Sequence, residues 1–184
     1  MAETFEALEE EHRRFIERQK IFFVATAARE GRVNLSPKGG ESLAVLDPKT
    51  ILWLNLTGSG NETAAHVLDT NRITLMWCAF DRPPLILRVY GRATAVHPGD
   101  AEWHACSGRI PASAGARQYF RVDIDGVQTS CGYAVPLYDH RADREALTKW
   151  AEKKGEEGIR RYWQEKNRLS IDGLPTGIGG VEGE

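Results

Sequence analysis

The sequence predicts a mainly β protein with peripheral helices, and three observations support this prediction. Strand-like segments follow one another, mostly through short turns. A single short capped helix interrupts them, so the chain lacks the regular alternation of strands and helices that is typical of a parallel sheet. Charged helical segments lie towards the two ends. We therefore predict an antiparallel barrel with helices at its periphery.

The elements are expected in the following order. Residues 4–19 are predicted to form an amphipathic helix that Thr4 caps, because five side chains recur on one helical face. These side chains are Phe5, Leu8, His12, Phe15 and Ile16. Strand-like segments follow at about 22–27, 32–36, 51–56, 72–80 and 85–96, with a last pair at 118–124 and 127–133. A short helix is expected at about 60–69, and a short helix with a loop at about 100–115.

The character of the chain changes after Pro136, which predicts two regions. Residues 1–136 are expected to form the barrel domain, and residues 137–184 a helical extension and tail. Two charged helices are predicted in the extension, at 141–154 and 156–166, with Gly155 between them.

Composition excludes several classes of function. The formal net charge of −2 provides no basic field for nucleic acid or for an anionic membrane. No segment approaches the ~18 apolar residues that a membrane span needs. Three widely spaced cysteines, with no CxxC pair, favour a reducing cytoplasm over a disulfide scaffold, and no metal-ligand spacing is present.

A polar row on one predicted strand is the first candidate for chemistry. Side chains alternate along a strand, so Asn34, Ser36 and Lys38 share a face while Val33 and Leu35 are expected in the core. An amide, a hydroxyl and an ammonium match a polar, phosphate-bearing ligand. The alternative is a solvated strand face.

A glycine-flanked segment at 57–63 is the second candidate. Ser59 and Glu62 are spaced as a capping box, which predicts a helix start, and a helix N-terminus is a ready anion site. Asn61 and Thr63 could add side-chain donors there. The alternative is a tight turn that only caps the helix. Because the preceding strand ends next to this segment, both donor sets could converge on one phosphate.

Arg88 lies within an otherwise apolar strand, where an unpaired charge is costly to bury. Its partner is expected to be either an acidic residue or the electron-rich edge of a ring ligand such as a flavin.

Six segments together resemble the pyridoxamine-5′-phosphate-oxidase-related, FMN-binding proteins. The matching segments are 34–39, 57–66, 71–76, 87–91, 130–136 and 170–175. The resemblance extends over about residues 20–176. It implies a six-stranded Greek-key split barrel, a homodimer, and FMN bound at the interface between the subunits.

The resemblance also implies roles for ten residues. The phosphate would be held by Lys38, Ser36, Asn61 and Thr63. The ribityl or ring region would be lined by Asn34, Leu54 and Asn55, with Arg88 near the ring. The partner subunit would cover the flavin site with its Ser130 and Cys131. Asn61, Glu62 and Thr63 stand where the oxidase has an Arg-Lys pair, so phosphate binding should depend more on amides and hydroxyls. The oxidase's substrate-phosphate residues near the C-terminus are not matched, which argues against pyridoxamine phosphate as substrate.

The leading hypothesis is an FMN-dependent oxidoreductase acting on an unknown small molecule. Because no acid–base pair stands out, a flavin-binding or ligand-sensing protein without turnover is the alternative. An empty barrel that serves only as an interaction module is a third possibility.

Overall fold

The structure, a computed structural model, describes residues 2–179 and contains eight strands and four helices in that range. The strands are β1 (Glu3–Phe5), β2 (Ile21–Thr26), β3 (Asn34–Gly39), β4 (Leu43–Asp47), β5 (Thr50–Leu56), β6 (Arg72–Cys78), β7 (Ile86–Val96) and β8 (Ala116–Ser130). The helices are α1 (Glu10–Arg18), α2 (Glu62–Thr70), α3 (Trp103–Ser107) and α4 (Ala146–Lys166).

All the strands belong to one curled antiparallel sheet in the order β3-β2-β6-β7-β8-β5-β4, and β1 pairs with β8. This arrangement confirms the predicted mainly β split barrel. The described residues form eight strands instead of six, because the short β1 and β4 were not recognised in the sequence. Large aromatic side chains fill the interior: Trp53 stacks on Phe120, and Phe22 on Trp77.

The predicted helix over 4–19 is wrong in its first half. Glu3–Phe5 pairs with Val127–Thr129 of β8 instead, and the helix begins only at Glu10. Glu9, and not Thr4, caps it through a reciprocal capping box with His12. Strand pairing satisfies the backbone of the first residues and lets Phe5 pack against the core, which a longer helix could not do.

The two strands predicted at 118–124 and 127–133 are in fact one continuous strand, β8, which contains a bulge. Tyr90 of β7 pairs with Gly126 of β8, whereas Gly91 pairs with Ile124, so the two strands slip past each other by one residue. A side chain at Gly91 would overlap the carbonyl oxygen of Asp123. A glycine therefore permits the close approach at this bulge.

The prediction that Val33 and Leu35 are core residues is also wrong. They are 75% and 64% exposed. β3 lies at the edge of the sheet, and its outer face is open, so the polar face of the strand is the one that turns inward.

The described part of the predicted extension contains α4 and contacts the barrel, while residues 180–184 lie outside the described residues. α4 is broken at Gly155, whose φ of 66° and ψ of 169° are not helical, so two helical pieces meet at the predicted position. The first piece begins at Ala146 and not at residue 141. Trp163 on the second piece donates from its indole nitrogen to the Thr57 hydroxyl (2.8 Å). Across residues 2–179, none of the helices combines the length and the apolar character that crossing a lipid bilayer requires.

Candidate functional site

One cavity of about 570 Å³ lies where β3, the start of α2, β8 and the C-terminal tail meet. Its volume is in the usual range for a small-molecule pocket. It brings together six of the ten predicted site residues: Asn34, Ser36, Lys38, Asn55, Asn61 and Thr63. The polar strand row and the glycine-flanked helix start therefore converge on one space.

The start of α2 differs from the predicted capping box. Asn61 is the N-cap, and the Ser59–Glu62 box does not form. The Glu62 carboxylate instead accepts the backbone N–H of Ile171 in the tail (3.0 and 3.2 Å to its two oxygens). The N-terminal end of α2 therefore lines the cavity without a side-chain cap, and a helix N-terminus of this kind suits an anion.

Asn61 is held in place by a reciprocal amide pair. Gln118 of β8 donates to its Oδ1 (2.9 Å), and its own Nδ2 faces the Gln118 Oε1 (3.4 Å). Both side chains are almost fully buried. Gln118 thus fixes Asn61 at the start of α2. The Asn61 amide, which was expected to donate to a ligand, directs its Nδ2 towards Gln118 instead.

A small hydroxyl and amide network lies beside the cavity. Asn34 donates from Nδ2 to the Thr63 hydroxyl oxygen (3.2 Å) and to that of Thr26 (3.4 Å). The Thr26 hydroxyl also meets Nδ1 of the buried His66 (3.1 Å). This network fixes the Thr63 oxygen as an acceptor, so its hydrogen is free to point into the cavity.

Arg117 on β8 is the site residue that the sequence analysis missed. It is 3% exposed and lines the cavity. Its Nη1 donates to the Gly60 carbonyl and to the Asn167 side-chain oxygen, both at 2.9 Å, while its buried Nε has no partner among the described residues. A buried donor without an acceptor costs free energy unless a ligand supplies one.

Lys38 is a second cation in the same cavity. Its ammonium lies 5.4 Å from the ring centre of Trp53. Burial, and then the positive charge of Arg117, lower the pKa of the Lys38 ammonium to about 8. Burial likewise lowers the pKa of Arg117 to about 10, so both groups remain cationic at neutral pH.

Neither Lys38 nor Arg117 forms an ion pair within residues 2–179. Glu62 is the acidic residue among those lining the cavity, and its carboxylate accepts the Ile171 N–H instead of pairing with either cation. No carboxylate contributes to the pKa of either Lys38 or Arg117. A half-buried and a buried cation, an unpaired guanidinium nitrogen and a helix N-terminus without a side-chain cap together fit a bound anion such as a phosphate monoester.

The remaining predicted residues do not line this cavity. The Leu54 side chain packs in a separate apolar cluster with Leu52 and Tyr119, and its backbone N–H donates to Ser42. Arg88 donates to the Ser130 hydroxyl (3.1 Å) and not to a carboxylate of the described residues.

Cys131 is exposed at the end of β8. The expected approach of Ser130 and Cys131 from a partner subunit stays a prediction.

Glu9, Glu11 and His12 form an acidic cluster near α1. The Nδ1 of His12 accepts the backbone N–H of Glu9 (3.1 Å), so a neutral ring carries its proton on Nε2. Neither nitrogen then offers a lone pair to a metal, and the geometry favours a helix cap over a metal site.

Comparison with known proteins agrees with this fold. The family model described as pyridoxamine 5′-phosphate oxidase matches residues 8–131. The pyridoxamine 5′-phosphate oxidase family protein ustO of Aspergillus flavus is 36% identical over 191 residues, which cover 93% of this chain and 76% of that protein.

Two solved structures share the fold at lower identity. A variant of HupZ from Group A Streptococcus is 22% identical with a TM-score of 0.55, covering 66% of this chain and 98% of its own. A candidate pyridoxamine 5′-phosphate oxidase from Lactobacillus delbrueckii is 20% identical with a TM-score of 0.55, covering 67% and 94% respectively.

Proposed function

The chain belongs to the pyridoxamine 5′-phosphate oxidase family, and on this premise we propose that it binds flavin mononucleotide as an FMN-dependent oxidoreductase of an unknown small molecule. The observation that carries the proposal is a pair of cations, the half-buried Lys38 and the buried Arg117, that share one cavity and form no ion pair among the described residues. A phosphate monoester has a charge of about −1.5 to −2 at pH 7 and three acceptor oxygens, which matches two cations and several N–H and O–H donors.

Phosphate binding is assigned to both cations, to the Ser36 and Thr63 hydroxyls, and to the first amides of α2. Asn34 and Asn55, which line the same cavity, would face the ribityl chain. The flavin ring supplies the redox chemistry in such proteins, while the protein orients it and tunes its potential.

A homodimer is part of the proposal. Val33 and Leu35 leave an apolar face on the edge strand β3, and such faces favour coverage by another surface. In the proposed dimer, Arg88 lies near the flavin ring, and Ser130 with Cys131 approaches the ring from the partner subunit. Size-exclusion chromatography with light scattering, with and without FMN, tests the oligomeric state.

The decisive experiment is a titration of the purified protein with FMN and, separately, with riboflavin, which has the same ring but no phosphate. Strong preference for FMN and a visible flavin spectrum are the expected results. Equal affinity for the two flavins, or a colourless protein that ignores added FMN, contradicts the proposal.

A flavin-binding protein without turnover is the second candidate. It is favoured by the residues that line the cavity within 2–179, because they include no histidine and their acidic residue, Glu62, is held by the tail. Anaerobic addition of NADH or NADPH to the flavin-loaded protein separates the two. Rapid bleaching of the flavin favours the oxidoreductase, and a stable spectrum with both donors favours the binding protein.

A further inference from the structure

Asn167, directly after α4, connects the two halves of the anion cavity. It is fully buried. Its Oδ1 accepts a hydrogen bond from Arg117 Nη1 (2.9 Å), and its Nδ2 donates to the Gly58 carbonyl (3.1 Å). A guanidinium can only donate and a carbonyl can only accept, so these two partners together fix the orientation of the amide.

The chemistry of this contact requires a neutral side chain. An aspartate has nearly the same shape and would bind the guanidinium more strongly, because a charge-assisted hydrogen bond is stronger than a neutral one. It would also cancel the positive charge of Arg117 and lose the hydrogen bond to Gly58. The amide orients the guanidinium and leaves its charge available to a ligand.

The C-terminal tail keeps Asn167 in this position. The Thr176 hydroxyl donates to the Asn167 carbonyl (2.6 Å), and the Thr176 N–H donates to the Arg168 carbonyl (3.0 Å). Both Asn167 and Thr176 have no exposed surface. The amide is therefore built into the protein and is not a mobile surface group.

We propose that Asn167 is a positioning residue for the anion: it aims Arg117 at the cavity, ties the glycine-flanked loop to that arginine, and preserves the arginine's charge. The inference rests on the proposed function, since the anion in question is the phosphate of the bound flavin. It assigns part of the binding site to the C-terminal tail.

The test compares Asn167→Asp with the wild-type protein by titration with FMN and with riboflavin. FMN binding is expected to weaken by about 10- to 150-fold, the loss equivalent to one charge-assisted hydrogen bond. Riboflavin binding is expected to stay unchanged, because only the phosphate contact is affected. A merely structural role for Asn167 would weaken both flavins in the same proportion.

Asn71→Asp is the matched control. The Asn71 Oδ1 accepts from Arg92 (3.1 Å) at the C-terminal end of α2, away from the cavity. This substitution also places a new carboxylate beside an arginine and changes the net charge equally. It is expected to leave the affinity for both flavins unchanged.

The outcomes are separable. A wild-type protein that binds neither flavin ends the proposed function, and this inference with it. A wild-type protein that prefers FMN, together with an Asn167→Asp variant that keeps that preference or loses both flavins equally, overturns this inference alone.

If Asn167→Asp does not fold, as judged by circular dichroism, Asn167→Ala provides the second test. It frees Arg117 from the amide and is expected to reduce FMN affinity selectively. An equal loss for both flavins, or no loss, counts against the proposal.

Discussion

Replacing Lys38 with methionine is expected to stabilise the ligand-free protein while weakening its binding of FMN. Methionine has an unbranched side chain one atom shorter than that of lysine, and it removes the charge. Burial and the repulsion from Arg117 lower the pKa of Lys38 from 10.5 to about 8. At about 1.4 kcal/mol per pH unit, the ammonium costs the fold at most about 3 kcal/mol at neutral pH.

Two terms reduce this cost. The contact with the Trp53 ring (5.4 Å) returns about 0.5–1 kcal/mol, and the partial exposure of Lys38 reduces the cost further. A net gain in the free energy of unfolding of about 1–2 kcal/mol is therefore expected for Lys38→Met. Because the pKa is lowered in the folded state, this gain is complete below pH 8 and shrinks as the pH rises from about 8 towards 10.5.

Ligand binding is expected to change in the opposite direction. Loss of one charge-assisted hydrogen bond weakens FMN binding by about 1.5–3 kcal/mol, or about 10- to 150-fold. Urea denaturation of the ligand-free protein at pH 7 and pH 10 measures the first effect, and titration with FMN measures the second. Lys153→Met, which removes an exposed lysine of α4, is the control and should change neither quantity. A Lys38→Met variant that is less stable than the wild-type protein, or that binds FMN equally well, refutes the reasoning.

Three further outcomes follow from the same structure. The FMN affinity of the wild-type protein should fall as the pH rises through about 8, because Lys38 loses its proton there. FMN titrations at pH 7 and pH 9.5 should show this loss of affinity in the wild-type protein but not in Lys38→Met. Arg117→Gln should weaken FMN binding by about tenfold or more without affecting riboflavin, and an equal effect on both flavins would remove Arg117 from the phosphate site. Gly91→Ala should lower the free energy of unfolding by more than about 1 kcal/mol, because the new Cβ overlaps the Asp123 carbonyl; an unchanged urea midpoint would contradict the bulge geometry.

Local patterns in the sequence were sufficient to predict where the site forms. The alternation of Asn34, Ser36 and Lys38 put three donors on one face of a strand, and the glycines around residue 59 marked the helix start next to them. Strand alternation and helix-start residues are both local sequence patterns, so they can be recognised without knowledge of the fold. In the structure these residues line one cavity, and their roles in binding stay predictions.

Other features depend on distant contacts and could not be predicted in the same way. Arg117 lies in the first part of β8, where residues 117–120 are buried on both faces of the strand, so alternation does not distinguish a pocket-facing arginine from a solvent-facing one. Val33 and Leu35 follow the core pattern, yet β3 is an edge strand, and only the strand order reveals this. The three residues of β1 are too few to show any period.

The place of Ile171 in the cavity lining also has a consequence for how the protein folds. Along the chain, the first residue that lines the cavity is Asn34 and the last is Ile171, so most of the polypeptide separates them. During translation the early strands leave the ribosome long before the segment that completes the cavity, so a nascent chain cannot hold the ligand until that segment has emerged and docked. The complete cavity can therefore form only after nearly all of residues 2–179 have been synthesised.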